Sequence, residues 1–263
     1  MGRSRLSLRD YLGQTLAVAE AEVRKLRHDP IELLTRAIQP LLWLLIFGQV
    51  MNRLHAIPTG GVSYEDFLAP GILAQSVVFI AIFYGLSAIW ERDSGVLAKY
   101  LVSPAPRWAL VVGKALGSGV RSLSQAVVIF VLAVLLGVHL RFEPAAIIGL
   151  LVFTLLGSAV FATFSLVIAC LVKTRERFMG VGQLLTMPLF FASNAIYPVA
   201  LMPSWLAAIA RLNPLTYLVD ALRALMLVGW QSTLGLGTDL AVLSIVLAVL
   251  VALAARLYPI ILG

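Results

Sequence analysis

The sequence predicts an all-α integral membrane protein. It has six transmembrane helices, an N-terminal interfacial amphipathic helix, a cytosolic helix after the second span and a re-entrant extracellular helical hairpin before the last. Three observations carry this. Of 263 residues, 60% are hydrophobic and only 13% charged, about half the charged share of an ordinary soluble domain. The apolar residues gather into runs of spanning length with short polar stretches between them. The basic residues fall mostly on alternate loops, the imprint of membrane orientation. The formal net charge of +7 is scattered through those loops, with no basic domain and no aromatic-interleaved patch. Membrane lipid, and no nucleic acid, is therefore the expected surrounding.

In order along the chain, Leu6 to His28 place Leu8, Leu12, Leu16, Ala19, Val23 and Leu26 opposite Arg9, Asp10, Glu20, Arg24 and Lys25. That spacing predicts an amphipathic helix on the cytoplasmic membrane surface within residues 1–30. No apolar core with a small-residue cleavage site lies in that stretch, so no removable signal peptide is expected. The first span is expected over Leu33–Met51, kinked near Pro40 and interrupted by Arg36 and Gln39. A polar loop, Asn52–Asp66, carries Pro58, Gly60 and Gly61. The second span covers Phe67–Trp90.

Trp90 to Lys114 is a charged, Pro-punctuated interruption. Glu91 to Leu101 can form a short helix with Val96, Leu97, Tyr100 and Leu101 on one side and Arg92, Asp93 and Lys99 around the other. Ser103-Pro104-Ala105-Pro106 ends it. Two readings are open: a helix that docks in a groove of a water-soluble partner, or a structured cytosolic loop with a solvated charged face.

The third span is expected over Ala115–Val138 and the fourth over Ala145–Val172, joined by a short turn with Arg141, Glu143 and Pro144. A charged turn, residues 173–177, leads to the fifth span, Phe178–Ile196. Residues 197–238 are hydrophobic but broken by Pro198, Pro203 and Pro214 and carry Arg211, Asp220 and Arg223. Two helical pieces, Ser204–Leu212 and Pro214–Leu227, are each too short to span roughly 30 Å of hydrocarbon, so they read as re-entrant or interfacial. A sixth span, Leu240–Leu257, follows. With the N-terminus inside, basic residues 3, 5, 9, 24, 25, 27, 36, 92, 99, 107, 114, 173, 175, 177 and 256 are cytoplasmic. Only Arg53, Arg141, Arg211 and Arg223 lie outside, with Arg121 in the membrane. Both termini are expected in the cytosol.

Enzymatic machinery is missing: the sequence holds no phosphate-binding G-x-x-x-x-G-K-[ST], no H-E-x-x-H, no paired cysteines and no G-x-S-x-G. His28, His55 and His139 read as interfacial polar residues, and the single Cys170 as a small buried hydrophobe. No acid falls in the middle of an expected span, against a carboxylate relay. Lys114, Ser118, Arg121, Ser122 and Gln125 form a polar stripe on the third span. It is either a surface that admits an anionic or amphipathic head group, or a snorkelling Lys114 with a structural pair for Arg121. Gln183, Thr186, Phe190, Asn194 and Tyr197 share one face of the fifth span, and Ser76, Phe79, Phe83 and Ser87 one face of the second. These faces suit an amphipathic passage or ordinary helix packing. Gly113-Lys-Ala-Leu-Gly117 marks a possible close helix approach.

Several motifs recur in a familiar order: Phe67-Leu-Ala-Pro-Gly-Ile-Leu-Ala74, Trp90-Glu-Arg92, Leu101-Val-Ser-Pro104 and Gly113-Lys114. They continue with Phe190-Phe-Ala-Ser-Asn194, Tyr197-Pro198, Leu212-Asn-Pro-Leu-Thr-Tyr217 and Asp220-Ala-Leu-Arg223. With the span layout, the chain resembles permeases of the ABC type-2 exporter family, in the daunorubicin-exporter-like and nodulation-exporter-like branch. The resemblance implies one transmembrane permease domain over residues 1–263, in the bacterial inner membrane. It also implies pairing with a second permease copy as a homodimer, and a separate ATPase subunit that holds ATP and Mg, with no cofactor on this chain. It makes residues 91–106 the coupling helix that touches the ATPase, through Glu91, Arg92, Asp93, Ser94, Lys99, Tyr100, Leu101, Ser103 and Pro104. Residues 197–238 become the extracellular re-entrant hairpin. The expected cargo is a drug, lipid or glycolipid. The pathway residues are Ser76, Phe79, Phe83, Lys114, Arg121, Gln125, Gln183, Thr186, Phe190, Asn194 and Tyr197. Alternatives are an ATP-independent channel or secondary carrier, and an exporter of undecaprenyl-linked glycans; short external loops favour small amphipathic cargo.

Overall fold

A computed structural model describes residues 38–55, 57–94, 107–172 and 174–257, with the backbone alone at 107–110. The expected N-terminal helix, and Lys99, Tyr100, Leu101, Ser103 and Pro104 of the expected coupling helix, lie outside the described residues. Those described are helical, with one isolated bridge between Leu140 and Leu227.

The chain enters as a helix containing a π-helical run, Trp43–Gly48, that passes into α1 (Gln49–Leu54). α2 (Tyr64–Tyr84) starts where Ser63 accepts a hydrogen bond from the Asp66 N–H and where Glu65 and Asp66 fill the first turn, both favourable at a helix N-terminus. It is followed by α3 (Leu86–Asp93), α4 (Arg107–Leu135) and α5 (Pro144–Leu171), which has proline at its first turn. Thr174 caps α6 (Arg175–Phe191) by accepting from the Arg177 N–H. A 3-10 turn, Val199–Leu201, leads to α7 (Ser204–Leu212) and α8 (Pro214–Met226). α9 (Leu236–Leu257) completes the described helices.

α5 is the hub, packed against α2, α4, α8 and α9. Close packing in an apolar surround relies on small residues: a Cβ on Gly157 of α5 would stand 2.5 Å from the Leu218 side chain of α8. α8 is buried from Leu218 to Met226, inside the molecule rather than on it.

Four helices among the described residues are long and apolar enough to cross a membrane: Tyr64–Asp93, Val111–Leu135, Pro144–Leu171 and Leu236–Leu257. They match the expected second, third, fourth and sixth spans. The second runs on to Asp93, three residues past Trp90, so Glu91, Arg92 and Asp93 form the last turn of α3 rather than the start of a separate helix. Its only irregularity is at Gly85, where the Ile82 carbonyl accepts from both the Gly85 N–H and the Ser165 hydroxyl. The expected fifth span stops at Phe191 instead of Ile196, because Pro188 lies in its last turn and turns follow. At 17 residues, α6 is about 25 Å long. The two short pieces between Tyr197 and Thr238 are helices with the expected start points, set by Pro203 and by Asn213-Pro214.

Of the Gly113–Gly117 pair, Gly113 faces open space while Gly117 is buried, and a little further along α4 a Cβ at Gly119 would meet Leu155 at 2.8 Å.

Candidate functional site

Among the described residues three groups of polar side chains stand out, one at each end of the helices and one between them.

At the first end several of the sequence motifs meet, those of Phe67, Asn194, Asn213 and Arg223. Arg223 of α8 is 2% exposed. It donates through Nε and Nη2 to the Phe67 carbonyl at 3.3 and 3.2 Å and through Nη2 to the Asn194 carbonyl at 2.9 Å. Its guanidinium lies 3.7 Å from the centre of the Phe67 ring and 5.7 Å from that of Trp230, a cation–π arrangement. Asn213 donates to the Leu189 and Ala192 carbonyls at 2.7 and 2.8 Å, and Tyr64 donates to the Ile196 carbonyl at 2.9 Å. The turns after α6 are thus held by side chains from α2 and α8, which supply the donors that irregular backbone needs away from water. Gly71 lets α2 approach so closely that a Cβ there would collide with the Ala195 carbonyl. Asp220 accepts from Ser232, Thr233 and the Leu234 N–H, and Ser232 also bonds Asp239 of α9. Asp66 accepts from the His139 N–H and bonds its ring, so His139 ties the loop after α4 to α2.

The sequence reading counted Arg223 among outer basic residues and took Arg121 as the charge inside the membrane. Among the described residues Arg223 is enclosed, as are Asp66, Asp220 and Asp239, while Arg121 is half-buried. An arginine and an aspartate three residues apart in an otherwise apolar piece were the available signal; their backbone partners have none.

At the other end, the last turn of α3 clamps two neighbours. Glu91 pairs with Lys114 of α4 at 2.6 Å. Asp93 accepts from its neighbour Arg92 and from both Nε and Nη2 of Arg175 of α6, at 2.9 and 2.8 Å. The Arg175 guanidinium also lies 3.6 Å over the Trp90 ring. Ser94 donates to the Glu91 carbonyl. Of the charges expected to face a partner, Glu91, Arg92 and Asp93 are engaged within the chain, and Lys114, expected in the pathway, belongs to this clamp.

Between the ends is a cavity of about 220 Å³. Gln39 and Pro40 line it from the first helix, Gln75, Ser76, Phe79 and Ile80 from α2, and Gln125 from α4. Of the expected pathway residues, Ser76, Phe79 and Gln125 meet here, and Phe83 packs on Phe79 at 4.6 Å. The others do not line it. Ser118 and Ser122 bond Ser158 of α5 at 3.0 and 2.9 Å, which is helix packing, and Arg121 sits 5.5 Å from the Tyr84 ring. Thr186 bonds its own helix and Phe190 is buried against Trp43, while Gln183 is exposed. Asn194 and Tyr197 belong to the turns at the Arg223 end. Gln39 and Gln75 were missed: one was read only as an interruption, the other stands one residue from Ser76.

Apolar helices of spanning length around a largely apolar cavity edged by glutamines, knotted at one end and charge-clamped at the other, define a multi-pass helical membrane protein. The ABC-2 type transporter family profile matches residues 13–227, and the chain belongs to that family. It is 34% identical over 203 residues to a transport permease, ycf38, of Cyanophora paradoxa, covering 76% of this chain and 70% of that one. It is 29% identical over 236 residues to the daunorubicin resistance ABC transporter permease protein DrrB1 of Streptomyces coeruleorubidus, covering 88% and 81%. To nodulation protein J of Rhizobium leguminosarum bv. trifolii it is 28% identical over 197 residues, 74% of each chain.

Proposed function

We propose that this chain is the transmembrane permease subunit of an ATP-driven ABC exporter that moves an amphipathic or hydrophobic molecule out across a bacterial inner membrane. A separate ATPase subunit binds ATP and Mg, and two permease copies form the working pair. The observation that carries this is the family match over residues 13–227, joined to a relative named as the permease of a daunorubicin resistance ABC transporter. In this reading the first helix and α6 complete six spans, both termini are cytosolic, and α7 and α8 form the extracellular re-entrant hairpin. Exposed apolar stripes support the pairing: Ile38, Leu42, Ile46 and Val50 on the first helix, and Leu184, Met187 and Phe191 on α6.

The clamp at Glu91 and Asp93 gives the coupling a physical route. Residues 95–106 meet the ATPase, and a pull there reaches α4 through Lys114 and α6 through Arg175. ATP shifts the permease only to the extent that its two states differ in their contacts with the ATPase. The test is ATP-dependent uptake of daunorubicin, a fluorescent phospholipid and a fluorescent glycolipid by inverted vesicles from the host with the chain deleted or restored. Uptake of at least one cargo is expected to need both ATP and the chain. Identical uptake of all three with and without the chain rejects the reading.

A further inference from the structure

We infer that the cavity between the first helix, α2 and α4 is a binding chamber for an uncharged, hydrogen-bonding group, such as the hydroxyls of a neutral sugar, borne by an amphipathic molecule. The inference names the cargo chemistry and rests on the permease reading for calling the ligand cargo.

Carboxamides from three separate elements converge on the cavity: Gln39, Gln75 and Gln125, with the Ser76 hydroxyl beside them. Gln75 and Gln125 are 6% and 2% exposed. A carboxamide offers two N–H donors and an accepting oxygen, so the wall presents donors and acceptors together, which is what a hydroxyl, itself donor and acceptor, can satisfy. Among the described residues no Lys, Arg, His, Asp or Glu lines it. Against these residues a phosphate, carboxylate or ammonium would meet no counter-charge on leaving water, which is costly. The neutral group loses far less and regains its hydrogen bonds.

Packing accounts for the serines of the polar stripe of α4. Ser118, Ser122 and Ser158 fill their own contact, whereas the glutamines surround about 220 Å³ of space, the liquid volume of about seven waters. Phe79 is 41% exposed and packs against Phe83, the two rings tilted by 45°. The two rings form an apolar ledge beside the chamber, where the chain or ring system of an amphiphile lies while its head enters.

Two photoreactive amphiphiles test this, with the same acyl chain and a diazirine next to the head, one bearing a glucosyl and the other a phosphate head. Each is crosslinked to the full chain in its native membrane vesicles and mapped by mass spectrometry. The glucosyl probe is expected to label the Gln75–Phe83 segment at least about tenfold more than the phosphate probe. Gln75→Leu and Gln125→Leu are each expected to lower that labelling about fivefold, the worth of one hydrogen bond. The head-group comparison uses the unaltered protein, so it stands even where a variant folds poorly. Equal labelling by both heads overturns the inference, as does glucosyl labelling that both substitutions leave unchanged. Read on the same vesicles as the uptake assay, ATP-driven uptake without head selectivity rejects the chamber alone. Head-selective labelling without ATP-driven uptake rejects the permease reading alone.

Discussion

Arg223 shows how much one side chain organises. Its planar fork reaches two carbonyls on different segments while its face lies on Phe67, a geometry that lysine's point charge does not reproduce. Arg223→Gln removes the guanidinium bonds to the Phe67 and Asn194 carbonyls, at about 1–3 kcal/mol in all. The melting temperature of the purified protein is expected to fall by roughly 5–10 °C, and Arg223→Lys is expected to recover less than half of that loss. Scanning fluorimetry reads both. The glycines make a paired case. Gly71→Ala drives a methyl into the Ala195 backbone and is expected to cost stability, whereas Gly113→Ala meets nothing and gains about 0.5–1 kcal/mol of helix preference. The same melts separate them: equal shifts at the two positions would contradict the close approach of α2 to the turns after α6.

Between elements, the Asp93–Arg175 contact joins α3 to α6. Asp93→Lys or Arg175→Asp alone places like charges together and is expected to abolish chain-dependent uptake in vesicles. The double exchange restores the pair and is expected to recover a large part, as neighbours in contact are non-additive. Full loss in the double variant would mean that Asp93 serves the partner directly. The hairpin has its own test in a Cys170→Ala background. A cysteine at Leu212, 85% exposed, is expected to react with a membrane-impermeant maleimide from outside the cell, and one at Val219, 0% exposed, is not. The helices α7 and α8 were legible in the sequence because Pro203 and Asn213-Pro214 are start signals of local origin. The knot at Arg223 was not, because its acceptors are carbonyls of Phe67 and Asn194, which every residue possesses. The clamp was half legible: the charges were singled out, but their partners Lys114 and Arg175 lie on other helices. Of the cavity, the residues at helical spacing on α2 and α4 were legible and the convergence of three glutamines was not.

At the scale of the whole molecule, the proposed permease would work as a lever with a fixed end. α2, α8 and the turns after α6 are knotted around Arg223, the glutamine cavity lies along α2, and the charged end of α3 is joined to α4 and α6. α9 carries exposed Leu240, Ile245, Val249 and Leu253, a surface suited to acyl chains. Force has to enter beside Asp93 for this arrangement to work as a driven permease. The most direct measurement is a mild-detergent pull-down of the tagged chain from its native membrane, with quantitative mass spectrometry of what stays bound. The expected result is a roughly stoichiometric P-loop ATPase, lost with Asp93→Lys and regained with the Asp93→Lys/Arg175→Asp exchange. A clean assembly of this chain alone, with no ATPase under conditions that preserve its fold, would contradict the ATP-driven account and leave a passive channel or carrier in its place.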